Sequence, residues 1–135
     1  MPTMLALAQG AEVLATDYYE AALDFTAYNA HTNLDLEPKV SVLDWREPDL
    51  GGVGTFDLVL AADVLYELKN AVALANLVPK LLAPAGEAII ADPRRDEAPV
   101  FFEAMEEQGF EVVPVETTVE QSDRNVKVLL HRLRR

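Results

Sequence analysis

The chain has 135 residues, half of them hydrophobic, and a formal net charge of −12. This size and composition predict one domain over residues 1–135 with a substantial core, and the negative charge excludes nucleic-acid binding through a broad basic face. The absence of cysteine excludes disulfide scaffolds and thiolate metal sites and predicts a cytoplasmic protein. No apolar stretch reaches the roughly 18 residues that cross a bilayer, so we expect no membrane segment.

Strand-like and helix-like segments alternate along the chain. In order, they are a helix over 1–9, a strand over 12–17, a helix over 20–31, strands over 39–45 and 56–63, a helix over 68–82, a strand over 87–92, a helix over 99–108, and strands over 110–118 and 126–133. The basic cluster over 131–135 is interpreted as the solvated end of the last strand. This alternation predicts an α/β protein with a Rossmann-like, mostly parallel sheet and a C-terminal antiparallel hairpin.

Aspartates mark the carboxyl ends of the four predicted parallel strands. They are Asp17, Asp44, Asp63 and Asp92. Ligands of open α/β sheets lie beyond these strand ends, so the four acids predict a ligand rim, although an acid there can equally cap the following helix. Asp17 has the position of an acid that accepts hydrogen bonds from a ribose diol. Asp44 beside Trp45 suits an adenine, while Trp45 fits a plain core position equally well.

Three segments resemble a known family. Residues 13–29 (VLATDYYEAALDFTAYN), 42–45 (VLDW) and 56–66 (FDLVLAADVLY) are similar to the class I, seven-β-strand methyltransferases that use S-adenosyl-L-methionine. The resemblance is greatest to the protein-lysine methyltransferase branch, in which an acid-x-x-aromatic motif follows the fourth family strand, as Asp63 to Tyr66 does here. The helix ending EEQGFEV and the final strand pair also match.

The resemblance implies S-adenosyl-L-methionine as the cofactor and methyl transfer to an amine of a protein lysine or a small molecule. It assigns five residues to cofactor binding: Asp17, Tyr18, Asp44, Trp45 and Ala62. It assigns catalytic positions to Asp63 and Tyr66, with Asp63 near the methionine end of the cofactor and Tyr66 shaping the acceptor pocket. Such a reaction depends on alignment of the acceptor and requires neither a metal nor a covalent nucleophile.

One family element has no counterpart in the sequence. The family's first central strand ends in a Gly-x-Gly loop, whereas residues 1–9 already resemble the helix that follows it. We therefore expect an N-terminally truncated or mis-started copy, with one unpaired edge on each of the strands over 12–17 and 56–63. Either these strands pair directly, or another chain fills the gap, or the domain is marginally stable. An open edge favours self-association, but the oligomeric state is not predicted.

Two other functions compete with the methyltransferase hypothesis. A non-catalytic remnant or α/β binding module would keep the fold and bind the cofactor weakly. A nucleotide-binding oxidoreductase domain would share the ribose-binding role of Asp17, but the antiparallel final strand pair and the Asp63-x-x-Tyr66 motif disfavour it.

Overall fold

The computed structural model describes residues 2–135, so the start of the first predicted helix at Met1 lies outside the described residues. The chain divides into two compact units, residues 1–49 and 50–135. The elements are α1 Pro2–Ala8, β1 Leu14–Asp17, α2 Glu20–Leu34, β2 Lys39–Val42, β3 Phe56–Ala62, α3 Leu68–Leu81, β4 Leu82–Asp92, α4 Ala98–Glu107, β5 Glu111–Gln121 and β6 Arg124–Arg134. Their order confirms the predicted alternation.

The first unit contains a two-stranded parallel sheet and two helices. β1 and β2 pair in parallel, with Asp17 opposite Val42, and the N–H of Leu43 donates to the carbonyl of Asp17 at 2.9 Å. Both carboxyl ends therefore lie at the same edge of this sheet. The core of the unit consists mainly of aliphatic side chains: Leu7, Ala15, Leu23, Ala30 and Leu43.

The second unit contains a four-stranded sheet in the order β3-β4-β6-β5. β3 and β4 are parallel, while β6 is antiparallel to both β4 and β5, which confirms the predicted mixed α/β fold with a C-terminal antiparallel pair. Pro114 lies in β5, an edge strand, where its missing N–H removes no ladder bond from the sheet interior. Alternate residues of β4 are buried on one face, as a half-covered strand requires: Gly86, Ala88, Ile90 and Asp92.

The start of β4 differs from its prediction. The sequence predicts a helix stop near Gly86 and a strand from Glu87, but β4 begins at Leu82, directly after α3. A Cβ atom on Gly86 would lie 2.7 Å from the carbonyl oxygen of Phe56. Gly86 therefore permits β4 to approach the β3 backbone closely, at the point where the β3–β4 register shifts.

β1 and β3 each have one unpaired edge within residues 2–135. β1 pairs with β2 alone, and β3 pairs with β4 alone. Leu58 of β3 is 44% exposed, although the apolar sequence of this strand predicts burial on both faces. The described helices are all too short or too polar to cross a membrane.

Candidate functional site

Asp17 lies at the carboxyl edge of the first unit and uses one oxygen to shape its own turn. Its Oδ1 accepts the backbone N–H of Tyr19 at 2.9 Å, while Oδ2 accepts no hydrogen bond from any residue in 2–135. Asp17 is not the N-cap of α2, because the residue in that position is Tyr19. The half-buried carboxylate of Asp17 therefore keeps one oxygen, Oδ2, that could accept a hydrogen bond from a ligand.

Asp44 is held by an arginine that the sequence interpretation did not include. Its Oδ1 accepts the backbone N–H of Arg46 at 3.0 Å and the side-chain Nε–H at 3.2 Å. Chiefly the backbone N–H, and then the guanidinium, hold the pKa of Asp44 below its usual value. The Asp-x-Arg spacing in the sequence could have indicated this contact, since in a tight turn an aspartate accepts hydrogen bonds from the residue two positions later. Any adenine contact by Asp44 has to share the carboxylate with Arg46.

Aromatic residues follow these two acids directly in the sequence, Tyr18 and Tyr19 after Asp17 and Trp45 after Asp44. Tyr18 is 51% exposed and meets Tyr19 edge to face, with ring centroids 5.0 Å apart. The Arg46 guanidinium lies 5.6 Å from the Tyr18 ring centroid. Trp45 is half-buried, which fits both a partly accessible ring and a core tryptophan. The carboxyl edge of the first unit thus combines two carboxylates with accessible aromatic surface.

Asp63 follows β3 in the second unit in an unusual backbone conformation. Its φ is 53°, a left-handed value that a non-glycine residue adopts at a cost of about 1 kcal/mol or more. Its N–H donates to the carbonyl of Ala91 at 2.9 Å, which fixes the strand end. Arg95 donates to both carboxylate oxygens, from Nε and from Nη2, each at 2.8 Å. This hydrogen bonding to Arg95 lowers the pKa of Asp63.

Of the other residues in the Asp63-x-x-Tyr66 segment, one is buried and one is exposed. Leu65 is fully buried and anchors the loop, whereas Tyr66 is 54% exposed. Ala62, the last residue of β3, is also exposed. The structure therefore places Ala62, Asp63 and Tyr66 along one accessible segment. Their assigned roles remain predictions.

Asp92 differs from the other strand-end acids, because it is 2% exposed. Its Oδ2 accepts the backbone N–H groups of Arg94 at 2.8 Å and of Arg95 at 3.1 Å, while its Oδ1 is buried without a partner in the described residues. Asp92 organises the loop after β4, which favours the alternative of a local structural role over a place on the ligand rim. Burial decided this outcome, and strand-end position alone could not reveal it.

The sequence interpretation of the C-terminal basic cluster is wrong in part. His131 is 9% exposed, its ring stacks on Phe102 with centroids 3.8 Å apart, and Leu133 is fully buried. The alternation of β6 points Arg132 and Arg134 outward, where they pair with Glu87 and Glu111. Burial lowers the pKa of His131 below its usual value, while the charge of Asp92 acts in the opposite direction.

We expect acidification to destabilise the chain through His131. Its pKa is lower in the folded than in the unfolded chain, so below about pH 6.5 the unfolded chain binds more protons at this residue and stability falls. The loss continues until the pH reaches the lowered folded value. His131→Gln should reduce the dependence of the free energy of unfolding on pH, measured by urea titrations at pH values from 7.5 to 5.5. The matched control is His31→Gln, at the other histidine, and an equal reduction there would contradict the assignment.

No group of three or more His, Asp or Glu side chains suited to hold a metal ion occurs in the part of the chain that the structure describes.

An open depression in the first unit is lined by Gly10, Glu12, Val13 and Lys39. It lies at the amino-terminal ends of β1 and β2, opposite the edge that carries Asp17. Because ligands of such sheets lie beyond the carboxyl ends, the carboxyl edge of each unit, taken by itself, is a candidate site.

Comparison with known proteins adds a family match. Residues 3–108 match the sequence model of a family described as lysine methyltransferase. EEF1A lysine methyltransferase 3 of Mus musculus is 30% identical over 135 residues, an alignment that covers 97% of this chain and 56% of the mouse protein. The chain thus spans about half the length of this relative.

Solved structures share the fold at low sequence identity. A methyltransferase from Pyrococcus furiosus has a TM-score of 0.73 at 19% identity, and the match covers 99% of this chain and 68% of that one. Magnesium protoporphyrin IX methyltransferase from Synechocystis PCC 6803, solved with bound S-adenosylmethionine, has a TM-score of 0.69 at 19% identity. That match covers 96% of this chain and 62% of the other.

Proposed function

Because the chain belongs to the lysine methyltransferase family, we propose that it transfers a methyl group from S-adenosyl-L-methionine to an amine, with a protein lysine as the acceptor. The observation that carries this proposal is the family match over residues 3–108. The name of the mouse relative supports lysine as the acceptor class. The net charge of −12 favours the approach of a basic acceptor protein.

The donor groups of the first unit fit the nucleoside part of this cofactor. The Asp17 carboxylate has an oxygen that accepts no bond within residues 2–135, so it would accept hydrogen bonds from the ribose diol. Tyr18 and Trp45 offer flat apolar surface for an adenine ring, and Asp44 would accept from the exocyclic amine beside Arg46. When bound, the cofactor supplies an electrophilic methyl group on a sulfonium.

The second unit supplies the groups proposed to orient the acceptor. Asp63 presents an ionised carboxylate at the end of β3, where an oxygen lone pair left free by Arg95 would accept a hydrogen bond from the amine. Tyr66 is exposed three residues later and would line the side-chain path of the acceptor. Alignment of a nucleophile at reacting distance is a large source of rate in such a displacement. Ala62, with no side chain beyond Cβ, would leave room beside Asp63.

The competing function is a binding module that keeps the fold without turnover. The unpaired edges of β1 and β3 favour it, because open edges weaken a sheet.

We further propose a cytoplasmic location, on the absence of cysteine from the sequence.

Two measurements on the purified chain test the proposal. Calorimetric titration with S-adenosyl-L-homocysteine measures cofactor-site binding. Incubation with S-adenosyl-L-methionine carrying a tritiated methyl group and a panel of lysine peptides measures transfer, and amino-acid analysis identifies the product. Matched peptides with arginine in place of lysine serve as the control.

We expect binding in the micromolar range and label on lysine alone. Binding without transfer to any peptide would favour the binding module, and label on the arginine peptides would overturn the lysine assignment. Absence of both binding and transfer would overturn the proposal as a whole.

A further inference from the structure

The Asp63–Arg95 ion pair occupies the carboxylate that we propose as the acceptor contact. The two hydrogen bonds, each of 2.8 Å, form a side-on fork in which both oxygens of Asp63 accept from one guanidinium. The two side chains are each about half exposed, at 50% for Asp63 and 44% for Arg95. The pair therefore lies where an incoming amine would meet a neutralised carboxylate.

The loop after β4 holds Arg95 in this position. Buried Asp92 accepts the backbone N–H of Arg95 at 3.1 Å, so the base of the side chain is fixed to the end of β4. The neighbouring Arg94 is turned away, because its guanidinium donates to Glu116 at 2.9 Å. Among the described charged groups, Arg95 faces Asp63, Asp92 faces Arg95 from β4, and His131 of β6 lies near Asp92. Arg95 is thus the cation assigned to Asp63.

A free carboxylate at this point would work against the proposed reaction. It would stabilise the ammonium form of a lysine, which has no lone pair and cannot attack a methyl carbon. A fixed guanidinium offsets this preference, because it repels a second cation at the same carboxylate. A neutral amine can still donate an N–H to a remaining lone pair of Asp63.

We propose that Arg95 is a positioning residue that neutralises Asp63 and thereby selects the uncharged form of the acceptor amine. The inference rests on the proposed function for the identity of the acceptor. In the transfer, the nitrogen lone pair forms the new N–C bond while the C–S bond breaks and leaves its electron pair on sulfur. The product is a methylammonium, whose proton passes to water. Before that proton leaves, the positive charge of the methylammonium is repelled by Arg95, which favours release.

A binding experiment tests Arg95 without requiring turnover. The probe is n-butylamine at pH 7, almost entirely butylammonium, and the readout is the carboxyl carbon resonance of Asp63 in carbon-13-labelled protein. Two unit charges about 4 Å apart in water repel enough to change an affinity about fivefold. We therefore expect Arg95→Gln to bind butylammonium about fivefold more tightly than the native chain. Arg95→Lys, which keeps the charge, should bind like the native chain.

Two controls separate this effect from a structural one. Arg94→Gln removes the neighbouring arginine, which pairs with Glu116, and should leave butylammonium affinity unchanged. Asp63→Asn should remove the affinity gained in Arg95→Gln when the two changes are combined, with binding to the double variant followed through the side-chain amide carbon at position 63. If Arg95→Gln does not fold, as judged by circular dichroism, the comparison passes to Arg95→Lys and Arg95→Met. Equal butylammonium affinity with and without the charge at position 95 would overturn the inference.

The pH dependence of transfer gives a second readout. For a lysine peptide that the native chain methylates, the acid limb of the pH profile of kcat, which reports groups in the enzyme–substrate complex, should move to higher pH in Arg95→Gln by about 0.7 unit, the same fivefold factor. Arg95→Lys should restore the native profile. An unshifted limb would contradict the inference while leaving the methyltransferase proposal intact. Conversely, tighter butylammonium binding in Arg95→Gln without methylation of any peptide would support the role of Arg95 and overturn the proposed reaction.

Discussion

Asp17→Ala is expected to weaken the binding of S-adenosyl-L-methionine by about 10- to 100-fold. The carboxylate oxygen that accepts no bond within the described residues would accept hydrogen bonds from the ribose hydroxyls. A hydrogen bond to a charged group contributes about 1.5 to 3 kcal/mol, and each 1.4 kcal/mol is a factor of ten in affinity. Calorimetric titration of the variant and the native chain measures the difference.

The far-ultraviolet circular dichroism spectrum distinguishes a ligand role from a structural one. Oδ1 of Asp17 also accepts the N–H of Tyr19, so Asp17→Asn, which keeps an acceptor for that turn, should fold like the native chain and still lose affinity. Asp24→Ala removes an exposed acid from α2 in the same unit and serves as the matched control. Loss of the native spectrum together with binding in Asp17→Ala would assign Asp17 to the turn alone.

Phe101→Ala should lower the free energy of unfolding by about 3 to 5 kcal/mol, a large part of the roughly 5 to 15 kcal/mol of a typical domain. Phe101 of α4 is fully buried, and its ring meets that of Phe102 edge to face at 5.2 Å. The truncation removes a buried aromatic ring and leaves a cavity in the second unit. Urea denaturation followed by circular dichroism measures the loss.

Val100→Ala is the matched control for this substitution. Val100 precedes Phe101 on the same helix but is 37% exposed, so the cost of its truncation should be below about 1 kcal/mol. Comparable losses in the two variants would mean that the burial of Phe101 does not set the cost of its truncation, since both changes to alanine raise helix propensity.

The sequence predicted the elements with small errors at their ends. α2 continues three residues past the expected end at His31, to Leu34, where Asp35 closes it in a left-handed conformation with φ of 53°. Apolar periodicity carries the existence and type of an element. The position of its last turn depends instead on which residue can adopt the left-handed conformation that ends a helix. Glycine is the usual residue there, but in α2 it is Asp35.

The places of the candidate residues at strand ends were predictable, but their electrostatic partners were not. Asp17 is the last residue of β1 and Asp63 directly follows β3, as expected, because the end of an apolar run marks the end of a strand. Arg95, in contrast, lies 32 positions from Asp63, and only the pairing of β3 with β4 brings the two together. No periodicity in a single sequence encodes a contact of that separation.

The sequence by itself determined the fold class, the strand ends and the family resemblance, which residues 3–108 confirm by their match to the lysine methyltransferase family. The tertiary structure alone decided the state of each strand-end acid. Asp17 keeps an oxygen that accepts no bond within the described residues, Asp63 is paired with Arg95, and Asp92 is buried in its own loop. The physical reason is that a carboxylate is specified locally by its position on a strand, whereas its burial and its counter-ion depend on elements distant in the chain.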